Sequence, residues 1–269
     1  MSRAGPHVVS AAVLVTAAVA PLLGAPSLAA EQVSQVVLGE GATVIDDHGS
    51  YLRVRTRLDD YEGWLHRGYV RLTDVATADH WLANAAWSEG ALVEASAGMA
   101  LRAPHRARLI LEGPERVRLP DGSAGSILSG RIRPFHDVLL HTRGTAPSDW
   151  AWQQFAGASY LWGGVTGSGI DCSALVQTTF LLRGIPLPRD ARQQVMHGVE
   201  VAPQDACPDD LLFFRGQDTD AITHVAMLAS RDMLVHATID TGRVTRESWE
   251  AGSRAAPLRD RLVAIRRVG

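Results

Sequence analysis

Ten histidines and only two cysteines stand among 269 residues, and the placement of three of these side chains suggests a chemistry. Cys172 lies in YLWGGVTGSGIDCSALVQTTFLLRG, Tyr160–Gly184, where a glycine-rich run gives way to an apolar one. Asp171 is a natural N-cap. Leu175, Val176, Thr179, Phe180 and Leu182 follow at helical spacing, with Gly184 as the closing glycine. Cys172 is therefore expected in the first turn of a buried helix. The helix dipole and unpaired amides there favour a thiolate, which lowers the expected thiol pKa, and the same amides can receive an oxyanion. Glycines 163, 164, 167 and 169 are expected to keep the approach clear. A small buried hydrophobe is the plain alternative for Cys172.

A nucleophilic thiol needs a base. The segment THVAMLASRDMLVHAT, Thr223–Thr238, reads as a hairpin, with strands Val225–Ala229 and Met233–Ala237. A three-residue loop, Ala229–Arg231, sets His224 directly opposite His236 on one face. One imidazole can then act as base while the other orients it. A two-residue loop would put them on opposite faces unless a bulge intervenes. Two alternatives stay open: core-edge histidines, or a zinc site built from Cys172 and both histidines. The zinc reading lacks a fourth ligand, and the helix-start cysteine suits a nucleophile better.

The rest of the chain must position these groups. With 46% hydrophobic and 20% charged residues, the composition is that of an ordinary globular protein. A net charge of −3 and the lack of a basic stripe argue against a nucleic-acid partner. Nothing approaches a stable membrane span. Val8–Ala20 can be read as the apolar core of an export signal with Arg3 before it, but Ala18–Leu23 reads equally as a strand ended by GAPS. Short strands follow at Val33–Leu38, Ala42–Ile45, Tyr51–Arg55, Gly63–His66 and Tyr69–Leu72, the spacing of a small barrel. A weaker version runs from Ala91 to Pro134, with a turn at Pro120–Gly122. The two look like a degenerate repeat joined by His80–Gly90. From Pro147 the texture turns helical, with Ser148 as the expected N-cap. The expected fold is multidomain: two small all-β barrels, 1–78 and 79–142, and an α+β domain, 143–269.

Taken together, YLWGG, DCSALVQ, DLLFF and the H-x11-H pair resemble the NlpC/P60 family of cysteine peptidases over about Pro147–Gly269. The upstream segments resemble bacterial SH3 (SH3b) domains. EQVSQVVLGE and YEGWLHRGYV are similar to those of γ-D-glutamyl-L-diamino-acid endopeptidases. The resemblance implies a papain-like domain in which Cys172 is the nucleophile, His224 the base and His236 its orienting partner, with no cofactor or metal. It implies Tyr160, Asp171 and Ser173 as substrate contacts beside the nucleophile. It further implies that Asp190 of PRDA, assisted by Glu31 and Tyr61, binds a free L-Ala amine. Ala174 replaces a usual glycine, and Asp209-Asp210 replaces a usual Gly-Asp. The implied partners are peptidoglycan-derived peptides. The first SH3b strand is expected within Ala18–Ser27, which favours a cytoplasmic recycling enzyme over an exported one. A wall-binding protein with a vestigial catalytic domain and a thioester-forming acyltransferase are the competing functions.

Overall fold

The computed structural model describes residues 11–95 and 98–269. Arg3 and the start of the apolar stretch at Val8 lie outside them. The chain forms two compact units, one ending at Pro134 and the other spanning Phe135–Gly269.

In the first unit, strands β1 (Ala11–Val15), β2 (Val19–Leu23), β3 (Gln32–Val37), β4 (Gly41–His48), β5 (Tyr51–Thr56), β6 (Glu62–His66) and β7 (Val70–Asp74) form one sheet, ordered β3-β2-β6-β5-β4-β1-β7. The strands expected from Val33 onward are present with boundaries shifted by a few residues. The first strand is earlier than expected. Ala11–Val15 pairs with β4 and β7, so the apolar stretch up to Ala20 contains β1 and the start of β2. Its apolar side chains fill the barrel: Val13, Val15, Ala20 and Leu22 pack with Val36, Leu52, Val54 and Leu65.

Helix α1 (Val75–Asn84) takes up the start of the expected linker, His80–Gly90, and is capped by Asp74 Oδ1 accepting from the Thr77 amide at 2.8 Å. Its buried Trp81 packs with Ala12, Leu14 and Ala78 and donates Nε1–H to the Gly39 carbonyl at 2.9 Å. A second sheet follows from β8 (Ala86–Ser88), β9 (Ala91–Glu94), β10 (Ala100–Ala103), β11 (Arg108–Leu111), β12 (Arg116–Arg118), β13 (Ala124–Ser129) and β14 (Ile132–Arg133). Its order, β10-β9-β13-β12-β11-β8-β14, repeats that of the first sheet strand for strand. The degenerate repeat seen in the sequence is thus a repeat of topology.

The two sheets cohere through the Glu40–Arg106 ion pair, 2.9 Å and buried on both sides, and a bond from the Arg108 amide to the Leu38 carbonyl at 2.8 Å. Between them Gly39 has φ +75°, and a Cβ there would overlap the Arg108 carbonyl.

The second unit starts eight residues before the expected boundary after 142, because α2 (Phe135–Thr142) belongs to it. Thr142 Oγ1 donates to the Leu182 carbonyl at 2.8 Å. Helix α3 (Pro147–Phe155) has Ala146, not Ser148, at its N-cap. Ser148 is buried one position inside the helix, where its amide and hydroxyl both donate to Asp209 Oδ1, at 2.8 and 2.6 Å. Asp209 has φ +74°, a backbone region that favours the glycine it replaces. Its carboxylate offsets that strain by serving the start of α3.

After the small hairpin β15 (Val165–Thr166) and β16 (Gly169–Ile170) come α4 (Cys172–Leu181) and α5 (Ala191–Gln194). Strands β17 (Val199–Glu200), β18 (Leu211–Arg215), β19 (Ile222–Ser230), β20 (Met233–Thr238), β21 (Arg243–Ser248) and β22 (Leu262–Arg267) form an antiparallel sheet, ordered β17-β22-β18-β19-β20-β21. Helices α3 and α4 pack on β19 and β20.

Gly39→Ala is expected to lower the stability of the first unit by at least the ~1–2 kcal/mol of a left-handed backbone with a side chain. Urea unfolding followed by far-UV circular dichroism reads the shift, and an unchanged midpoint would show that the two sheets do not approach at Gly39.

Candidate active site

Helix α4 begins at Cys172, with Asp171 as its N-cap accepting from the Ala174 amide at 2.8 Å. Every residue of the helix is buried, and Gly184 at φ +81° closes its end. Asp171 does more than cap. Its carboxylate takes a forked pair of bonds from buried Arg189, at 3.0 and 2.6 Å, and accepts the Gly163 amide at 2.9 Å. Ser173 donates to Asp171 at 3.1 Å and accepts from Arg189 at 2.8 Å. Asp171 and Ser173 therefore use their side chains to hold the helix start beside the nucleophile. Removing one partner of such a buried pair typically costs ~3–5 kcal/mol.

Two of the four glycines have a packing role. A Cβ on Gly164 would meet the Gly169 carbonyl at 2.5 Å, and one on Gly169 would meet Leu161 at 2.8 Å. These two glycines let the β15–β16 hairpin close on itself.

The histidines meet, although the hairpin is built differently from the expected one. The loop is Arg231–Asp232, two residues, and a register shift between Leu228 and Ser230 restores the parity that such a loop would break. Met227 pairs with Val235, so His236 falls level with Ala226, two residues along from His224. The imidazoles are diagonal neighbours, with His224 Nε2 2.8 Å from His236 Nδ1. Backbone pairing of β19 with β20 runs from the turn to Met227–Val235. Beyond it, the Val225 amide interacts with the Cys172 sulfur, which brings the residue next to His224 against the thiol.

A fourth group was not foreseen. Glu247 lies on β21 one more diagonal step along, since Leu234 pairs with Glu247 and His236 with Thr245. Its Oε1 is 2.7 Å from His236 Nε2 and is ion-paired with Arg254, which also reaches Asp240 at 3.5 Å. A carboxylate can only accept, so His236 Nε2 carries the proton. His236 Nδ1 then accepts from His224 Nε2–H, and His224 Nδ1 is left with a lone pair. Both nitrogens of His236 are thereby engaged. The turn Ile239–Gly242 was the one sequence signal for this strand, and its register could not be read without the pairing.

Burial dominates the electrostatics. It pushes the Cys172 thiol up to about 12, with the Asp171 charge adding to it and the Val225 and Ser173 amides opposing it. The expected thiolate-favouring helix start is thus outweighed by desolvation. Burial, the His236 ring and the Arg261 charge hold His224 well below the usual imidazole range, and burial with Arg254 brings His236 to about 4. Near neutral pH the thiol and both rings are uncharged. Burial and the neighbouring Cys172 also raise the Tyr160 phenol, which keeps it a hydrogen-bond donor. Tyr160, His224 and His236 line a cavity of about 510 Å³ with Gln217, Arg254 and Arg261.

Asp190 is the N-cap residue of α5 and accepts from Arg192 at 3.0 Å. Glu31 and Tyr61 belong to the first unit, where Glu31 directly precedes β3 and Tyr61 packs against the barrel core.

Residues 157–261, which hold Cys172, both histidines and Glu247, match the NlpC/P60 family. The chain carries an NlpC/P60 domain. Residues 22–74 match the bacterial dipeptidyl-peptidase Sh3 domain. Among curated relatives, a gamma-D-glutamyl-L-lysine dipeptidyl-peptidase of Bacillus cereus is 24% identical over 76% of this chain and 66% of its own length. Dipeptidyl-peptidase 6 of Lysinibacillus sphaericus is 27% identical over 88% of this chain and 91% of its own. This chain thus spans just under two thirds of the Bacillus cereus relative. The crystal structure of a NlpC/P60 family protein from Bacillus cereus shares the fold, with a TM-score of 0.77 at 21% identity, covering 95% of this chain and 99% of that one.

Without substrate at pH 7, iodoacetamide is expected to alkylate exposed Cys207 faster than buried Cys172, by mass-spectrometric peptide mapping. The Cys172 rate should keep climbing above pH 9. A Cys172 rate that levels off below pH 7 would mean a resting thiolate and would contradict the electrostatics above.

Proposed function

We propose that the chain is a cysteine endopeptidase that hydrolyses the γ-D-glutamyl–diamino acid bond of peptidoglycan stem peptides. The observation that carries this reading is the His224–His236–Glu247 chain beside a thiol at a helix start. The similarity to a gamma-D-glutamyl-L-lysine dipeptidyl-peptidase of Bacillus cereus supports the bond class.

In the proposed reaction His224 Nδ1 takes the Cys172 proton as sulfur attacks the γ-carbonyl carbon. Because both groups are neutral at rest, proton transfer accompanies attack. The oxyanion is received by helix-start amides, with the protonated Tyr160 hydroxyl as a further donor. His224 then gives its proton to the departing amine. Water, activated by the same ring, hydrolyses the thioester. While His224 is an imidazolium, its Nε2–H stays bonded to His236, whose own N–H points at the Glu247 carboxylate. The positive charge is therefore stabilised through a relay.

The preferred substrates in this reading are released peptides with a free L-Ala amine, bound by Asp190, with Glu31 and Tyr61 assisting. The strand order shared by the two sheets supports a second SH3-like barrel after the first. Cytoplasmic recycling is the favoured setting and export its alternative, and N-terminal sequencing from the native host separates them. Among the described residues no helix is long and apolar enough to cross a membrane.

Mass spectrometry of L-Ala-γ-D-Glu-diamino acid peptides tests the proposal. Cleavage at the γ-amide is expected, lost by more than about 10³-fold in Cys172→Ala. N-acetylated peptides should be poor substrates. Asp190→Asn should lower kcat/KM on the free peptide by about tenfold or more, the size of a charge-assisted bond. Full activity of Cys172→Ala would overturn the mechanism, and absence of all cleavage would favour a vestigial domain. Transfer to an added amine in place of hydrolysis would favour the acyltransferase. Equal cleavage of free and N-blocked peptides would remove Asp190 from amine recognition.

A further inference from the structure

Two arginines line the cavity that holds the histidines, and they are in opposite states. Arg254 is neutralised by Glu247 and Asp240. Arg261, at the end of the 3-10 turn Ala256–Arg261, is half-buried. Its Nε is buried without a hydrogen-bond partner, and no ion pair among the described residues engages its guanidinium. A buried unpaired donor on a cation is costly, and the cost is recovered only when an acceptor arrives. Beside a cavity, that acceptor can come with the ligand.

We propose that Arg261 is a specificity-determining residue that binds a carboxylate of the substrate next to His224. This rests on the γ-glutamyl peptidase reading above and adds to it a requirement on the substrate. A γ-linked D-glutamate keeps its α-carboxylate free, and a terminal diamino acid has one of its own. Either can supply the anion, and a planar guanidinium matches it by paired N–H donors.

The placement has a catalytic consequence. Unpaired, the Arg261 charge opposes protonation of His224. A bound carboxylate cancels that repulsion. His224 then becomes a stronger base only when the right substrate is seated.

Calorimetric binding to the Cys172→Ala protein tests the inference without needing turnover. The probes are L-Ala-γ-D-Glu-L-Lys, its D-Glu α-amide and its Lys α-amide. One amide should bind about tenfold or more weakly than the acid. In Cys172→Ala/Arg261→Gln the acid should weaken to the level of that amide, so that the two bind alike. Which amide shows the effect identifies the carboxylate.

The inference is overturned if neither amide weakens binding, if the peptide does not bind, or if the penalty persists undiminished after Arg261→Gln. Arg261→Lys keeps the charge without the fork and should retain part of the discrimination. It serves as the second variant if Arg261→Gln does not fold, and an undiminished penalty there would also count against the fork. Binding coupled to Arg261 but with no hydrolysis by the Cys172 protein would refute the peptidase reading and leave this inference standing.

Discussion

The bond from His224 Nε2 to His236 Nδ1, 2.8 Å long, ties the tautomers of the two rings together. It is directional only because Glu247 holds the far nitrogen of His236 at 2.7 Å. Three adjacent strands each contribute one side chain, and each lies one diagonal step from the last. A shift of one residue in either register would turn one member to the other face. The bulge between Leu228 and Ser230 is therefore part of the chemistry, because it restores the register that a two-residue loop would otherwise break.

The same site trades local charge for precision at the other end. Cys172 owes its position to the Asp171 cap and to the Arg189 fork that holds Asp171. That anchoring places a carboxylate and a dry environment beside the sulfur, and both raise its pKa. A thiol held neutral is also protected from oxidation and alkylation, since the thiolate is the reactive form. The neutral imidazoles are matched to it. Charge separation then arises only along the reaction coordinate, where the relay to Glu247 and the helix-start amides can stabilise both poles.

Much of this was legible in the sequence, and the exceptions have physical reasons. The helix after Cys172 shows in its cap, its periodicity and its closing glycine, all local signals. The shared face of the histidines was reached through the right parity but the wrong loop, because a bulge and a longer loop are interchangeable in parity. Glu247 was out of reach, since its role depends on the pairing of β20 with β21. The hold of buried Arg189 on Asp171 and Ser173 is not legible, because Arg189 lies 18 residues on from Asp171 with no local signal that joins them. The helix from Val75 is hard to read locally because its one buried aromatic, Trp81, is held by Gly39, far away in the sequence. The strand at Ala11–Val15 resembled the core of an export signal because a buried β-strand and a signal share the same apolar composition.

The central claim is a neutral thiol served by a proton-ordered histidine pair. Nitrogen-15 chemical shifts of the imidazoles in the resting protein at pH 7 test it most directly. The account predicts two neutral rings, His224 protonated on Nε2 with a bare Nδ1, and His236 protonated on Nε2, with the His236 assignment persisting down to about pH 5. An imidazolium at His224 at pH 7, signalling a resting thiolate–imidazolium pair, would contradict it.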